Sequence, residues 1–174
     1  KPEEGEVLET PETAILSDLN KNGLEGYLVD AFFLDAWQRS LIGKLSGNRT
    51  LEARGGELHF NSGRKPLEGE ATELQPKIAG DPSQSALEFG DRYYLKLYRK
   101  LDDTINPDLE ISRFLSEKTS FAQVPAFRGS VTFRPGAHTE LALGLLQEKV
   151  PYQESGWDYA RDAFRRYMEE ARTH

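Results

Sequence analysis

Short apolar runs separated by asparagine and glycine open the chain. Residues 13–16 and 26–33 are two such runs, divided by Asn20-Lys21-Asn22-Gly23, and runs of that length between turn residues predict strands. Asp35 followed by Gln38 has capping-box spacing, and Trp37, Leu41 and Leu45 recur at fourth positions, which predicts a helix over 35–45. Gly47 is the expected stop. Residues 51–53 and 58–60, around the Gly55-Gly56 pair, predict two further strands with a tight turn or bulge between them. Residues 61–73 are mostly polar, with Gly63, Pro66 and Gly69, and are expected to form a linker or mobile surface loop.

From Leu74 the pattern becomes more regular. Residues 74–78, 86–89 and 93–98 read as strands, with a turn at Gly80-Asp81-Pro82 and a hairpin at Gly90-Asp91. Asn106-Pro107 places a capping side chain before a proline, so a helix is predicted from there to about Lys118, with Ile111, Phe114 and Leu115 as its apolar stripe. Residues 124–133 and 140–147 predict two more strands around Pro135-Gly136. Ser155 and Asp158 repeat the capping-box spacing, and Trp157, Ala160, Phe164 and Tyr167 mark one face of a final helix.

Composition narrows the function classes. At 174 residues, 37% hydrophobic and 29% charged, the chain can form one compact domain or two small ones sharing an interface. A net charge of -7 opposes sequence-independent binding to nucleic acid or an anionic membrane. With no Cys there is no disulfide, thiolate metal site or cysteine nucleophile, which fits a cytoplasmic protein. No apolar run approaches the roughly 20 residues that span a bilayer. The start at Lys1 and the single Met, Met168, lead us to expect a piece of a longer protein, with the acidic residues 3–12 as a linker from a preceding domain.

The most suggestive chemistry lies at Ser83-Gln84-Ser85-Ala86 and the hairpin after it, whose second strand carries Lys96 between Leu95 and Leu97. Small residues in such a turn let backbone N–H groups approach phosphates, and a lysine on the next strand supplies a point charge. Ordinary turns use the same residues, and strand lysines commonly face solvent. The following helix carries Asp108, Glu110 and Glu117, of which Glu110 is our choice as ion-pair partner for Lys96. Acidic residues in a first helical turn also complement the helix dipole with no further role. Arg92, Lys96, Arg99 and Lys100 cluster about one hairpin, although alternation sends Lys96 and Arg99 to different faces. Phe32, Phe33 and Trp37 have the flat rings of a sugar platform, but their spacing fits core packing better, and Trp157 reads as a packing anchor. His59, His138 and His174 are scattered, without the spacing of metal ligands or a triad.

Residues 95–100, Leu-Lys-Leu-Tyr-Arg-Lys, followed by residues 105–115, Ile-Asn-Pro-Asp-Leu-Glu-Ile-Ser-Arg-Phe-Leu, resemble the amino-terminal lobe of maltokinases, enzymes often fused behind a trehalose synthase. The resemblance runs from about Gly26 to the end, through Arg54-Gly55-Gly56-Glu57-Leu58, Val124-Pro125, Leu146-Gln147-Glu148 and Gly156-Trp157-Asp158-Tyr159. It implies that Lys96 contacts phosphate, that Glu110 is its helix partner, that Ser83, Gln84 and Ser85 belong to the phosphate-covering turn, and that Gln147, Glu148 and Val150 form the hinge against adenine. The family's usual Ser-Asn-Thr-Ser turn is here Ser83-Gln84-Ser85-Ala86, with one hydroxyl fewer. Such kinases resemble aminoglycoside and protein kinases in needing a His-Gly-Asp segment and an Asp-Phe-like segment for Mg²⁺ in a carboxyl-terminal lobe. Neither segment occurs in this chain, so the resemblance implies no catalytic and no metal-binding residue within it.

The expected architecture is α+β. Residues 1–25 would be a linker with the first cap strands, and 26–73 a mainly β cap subdomain with one helix. A kinase-like lobe over 74–150 would hold a five-stranded antiparallel sheet and one inserted helix, and 151–174 the first helix of a further lobe. The resemblance implies ATP with Mg²⁺ as cofactor and maltose 1-phosphate as product. Maltose would be held by the other lobe and a trehalose synthase domain would be a contact, leaving the fragment inactive alone. The rival expectation is a non-catalytic regulatory or assembly module of a trehalose synthase.

Overall fold

A strand that buries one face must find a partner layer for it, and the computed structural model shows which layers this chain pairs. It describes residues 14–21, 23–67, 69–79, 85–136 and 139–173. The elements follow as β1 (Ile15–Lys21), β2 (Leu24–Val29), a 3-10 turn (Ala31–Phe33), α1 (Asp35–Ser46), β3 (Thr50–Ala53), β4 (Gly56–Ser62), a second 3-10 turn (Gly69–Thr72), β5 (Pro76–Ile78), β6 (Ser85–Phe89), β7 (Tyr93–Leu97), α2 (Pro107–Lys118), β8 (Phe127–Gly136), β9 (Thr139–Glu148) and α3 (Gly156–Thr173). The class is mixed α+β, as expected.

The sheet is larger than the expected five-stranded lobe with a separate cap. Seven antiparallel strands stand in the order β3-β4-β8-β9-β7-β6-β5, and β1 and β2 form a two-stranded hairpin of their own. The reason is the pairing of β4 with β8, which sets Leu58 opposite Phe133 and Phe60 opposite Val131. Phe60 thereby enters the same core as Leu87, Phe89, Leu95 and Leu146, while Leu41, Ile42 and Leu45 of α1 cover that face. The sheet is thus continuous across the expected division between 26–73 and 74–150. Within 61–73, expected as linker or mobile loop, Leu67 and Ala71 are buried in this core.

Several local expectations shift for identifiable reasons. β1 runs on through Asn20 and Lys21, and the hairpin turns at Gly23, whose φ of 79° favours glycine. Strand β2 stops at Val29 because the Asp30 carboxylate accepts from the Phe32 N–H at 3.0 Å and starts a 3-10 turn. Phe32 is buried, and Phe33 and Trp37 lie against the core, which answers the sugar-platform reading in favour of packing. Asp35 and Gln38 form no capping box: Leu34 is the N-cap, Gln38 Nε2 donates to Phe32 O at 2.7 Å, and Asp35 pairs with Arg39 at 2.6 Å. Asn48 rather than Gly47 takes the left-handed conformation after α1, at φ 47°. Pro135 and Gly136 lie within β8, because its pairing with β9 continues to Gly136 opposite Thr139. The expected turn at Gly80-Asp81-Pro82 falls outside the described residues.

Helix α2 starts where the sequence indicates. Asn106 Oδ1 accepts from the Leu109 N–H at 3.1 Å and Pro107 occupies the first turn. Asn106→Ala is expected to cost about 1 kcal/mol of stability, read from the urea midpoint, and an unchanged midpoint would remove the cap's role. The apolar stripe of α2 is less useful than expected, since no residue of the helix is buried and Ile111 and Phe114 are exposed. In α3, Ser155 Oγ accepts from the Asp158 N–H at 3.1 Å, as the spacing indicates. Its aromatic face is unpacked: Trp157 is 75% exposed, so it anchors nothing among the described residues.

Candidate functional site

Strand alternation decides what β7 offers to each side of the sheet. Leu95 is buried in the core and Leu97 packs against it, so Lys96, between them, points to the face covered by α2. There its Nζ meets Asp108 Oδ2 at 3.0 Å, and Tyr98 Oη donates to the same oxygen at 3.0 Å. Burial, followed by the Asp108 charge and the hydrogen bond to it, raises the Tyr98 pKa far above that of a free phenol, so the hydroxyl stays a donor. Ala86, opposite Lys96 in the register, is fully buried.

The partner of Lys96 is Asp108, not Glu110. Two residues along an α-helix turn the side chain by about 200°, so a carboxylate at 110 leaves the face that 108 presents. Glu110 is exposed, and its carboxylate forms no ion pair among the described residues. The available signal was position: Asp108 directly follows Pro107, in the turn of α2 closest in sequence to β7.

Arg99 goes to the other side. Its guanidinium pairs with Asp30 at 2.9 Å, lies 5.3 Å from the Phe32 ring centre and hydrogen-bonds Ser85 Oγ. Burial raises the Asp30 pKa, but the Phe32 N–H and Arg99 outweigh it and hold the carboxyl below its ordinary value. Ser85, Lys96, Tyr98, Arg99, Lys100 and Asp108 surround an open cleft of about 410 Å³ at the end of β7. Its three cations face two carboxylates, Asp108 on its lining and Asp30 paired with Arg99, so its balance is positive by one charge. Ser83 and Gln84, the rest of the expected phosphate-covering turn, lie outside the described residues.

The three expected hinge residues separate. Gln147 is buried on the α2 face and its Nε2 donates to Ser112 Oγ at 3.1 Å. Glu148 binds Arg128 through its carboxylate and Ala126 O through its N–H at 2.9 Å. Val150 is half exposed and lines a different depression with Tyr152 and Pro125. Sequence reasoning also missed Lys149, which pairs with Glu88 at 3.0 Å and Asp91 at 3.5 Å. The Glu88 hydrogen bond leads the causes that raise its pKa. His59 contacts Glu57 at 3.0 Å and Thr50 at 3.3 Å, a structural arrangement, whereas His138 and His174 lie outside the described residues.

Among the described residues no group of three or more His, Cys, Asp or Glu is placed to hold a metal ion. No helix among them is long and apolar enough to cross a membrane. No family model matches the chain.

Proposed function

We propose that this chain is the ATP-binding amino-terminal part of a cytoplasmic, ATP-dependent kinase that phosphorylates maltose to maltose 1-phosphate, as its resemblance to maltokinases implies. The observation that carries the nucleotide part is the cationic cleft at the end of β7, where Lys96 is held by a carboxylate of the next helix. Further support comes from strand order, since β5, β6, β7, β9 and β8 stand side by side with α2 inserted after the third of them in sequence. A lysine on a third strand, steadied by an acidic residue of the helix after it, is the phosphate-positioning arrangement of kinases.

The residues fit the triphosphate better than they fit its metal. Lys96 and Lys100 supply positive charge, whereas Arg99 is engaged by Asp30 and Ser85, and Asp108 by Lys96 and Tyr98. Mg²⁺, when bound, neutralises phosphate charge, and its ligands belong in this reading to a second lobe. Lys96 would then orient the phosphates, and Tyr98 would hold Asp108 in place. The reading is tested on the longer protein by following ADP release with ATP and maltose. Maltose-dependent ADP supports it, and ADP release at the background rate overturns it.

The alternative, a non-catalytic assembly module of a trehalose synthase, draws on one observation: Leu16, Leu19, Tyr27 and Leu28 of the β1–β2 hairpin are all exposed. A dead relative has no reason to keep Lys96 paired with an acidic helix residue, which favours the kinase.

A further inference from the structure

Helix α2 lies over β8 without burying any of its own residues, and the space left beneath it is a second cleft of about 430 Å³. That volume is in the range of ligand sites. Its sheet side includes Thr132 and Ala142, which face each other across the β8–β9 pairing. Thr132 is 1% exposed, and its hydroxyl has no hydrogen-bond partner among the described residues. A buried hydroxyl without a partner is unfavourable, and at the floor of a cleft a ligand can supply the missing hydrogen bond.

The walls state what that ligand is like. Leu109 and Phe114 of α2 offer apolar surface, with Phe114 55% exposed to the opening. Arg113 and Glu117 are paired with each other, and Glu140 is paired with Arg134. The charges on the lining without an ion pair among the described residues are Glu110 and Lys118, of opposite sign. They are eight positions apart on the helix, about 12 Å along its axis. A single small ion cannot serve both, and an amphiphile carrying one charge leaves the far charge without a partner. A neutral compound with hydroxyls along its length can donate to Glu110, accept from Lys118 and satisfy Thr132. An apolar sugar face can also lie on the Phe114 ring.

We propose that the cleft between α2 and the β8–β9 ribbon is a binding site for a short uncharged saccharide, separate from the cationic cleft at Lys96. This gives Glu110 a role that its failure to reach Lys96 leaves open, and it does not depend on the kinase reading, because no nucleotide takes part.

The test is a titration of the full chain with maltose and with maltotriose, followed by backbone amide NMR. Saturable shifts confined to residues 109–118 and 130–142 are expected. Thr132→Val keeps the shape and removes the hydroxyl, and Phe114→Ala removes an exposed ring on a helix that buries nothing. Each is expected to weaken binding by about tenfold or more. Phenethylamine at the same concentrations serves as the charged amphiphilic probe. No saturable shift, shifts elsewhere, undiminished affinity in both variants, or tighter binding of phenethylamine than of either sugar would each overturn the proposal.

Discussion

Lys96→Met is expected to abolish measurable MgATP binding by this chain and, in the longer enzyme, to lower maltose-dependent ADP release by roughly 10²–10³-fold. The substitution keeps an unbranched side chain on the α2 face of β7 and removes the charge. The helix substitutions decide which carboxylate matters. Asp108→Asn leaves Lys96 without its ion partner and is expected to weaken nucleotide binding by about tenfold, while Glu110→Gln leaves it within about twofold of the unsubstituted chain. Stability does not confound this comparison. The Lys96 and Asp108 side chains are 27% and 41% exposed, and such a pair contributes about 0–1 kcal/mol at most. Equal losses in both helix variants would restore Glu110 as the partner, and unchanged binding in Lys96→Met would remove the nucleotide assignment altogether.

Phe89→Ala is expected to destabilise the chain by about 3–5 kcal/mol, a large share of the 5–15 kcal/mol typical of a whole domain. Phe89 is fully buried on β6, in one cluster with Phe60 of β4 and with Leu41, Ile42 and Leu45 of α1. The cavity it leaves therefore weakens the segment expected as a cap together with the segment expected as a lobe. In a Trp157→Phe background, Trp37 on α1 becomes the single indole and reports the first segment, while far-UV circular dichroism reports the whole. Urea transitions by the two probes should coincide and shift together. A Trp37 transition that stays in place while the dichroism midpoint falls would mean that the two segments do not share a core.

What was legible in the sequence was whatever a few neighbouring residues decide among themselves. The Asn106-Pro107 cap, the Gly90-Asp91 hairpin, the length of α1 and the Ser155 cap follow from local hydrogen bonds and backbone preferences, and they formed as expected. The alternation around Lys96 likewise fixed its direction away from the core before any partner was known. Asp35 and Gln38 show the limit of the same reasoning. Their spacing suits a capping box, but the carbonyl of Phe32 was a better partner for Gln38 once the 3-10 turn had formed.

Tertiary structure alone decided which strands became neighbours and which carboxylate met Lys96. The pairing of β4 with β8 joins residues about 70 positions apart, and no local pattern specifies it, because a strand edge accepts any partner whose apolar face matches. The choice of Asp108 over Glu110 depends on how α2 is rotated above the sheet, and a 100° step per residue turns that rotation into a change of face. Thr132 has no hydrogen-bond partner among the described residues and lies beside the open cleft next to α2. Residue types and spacing set the list of candidates, and packing of α2 on β8 selected among them, since contact across elements depends on geometry that no stretch of sequence contains by itself.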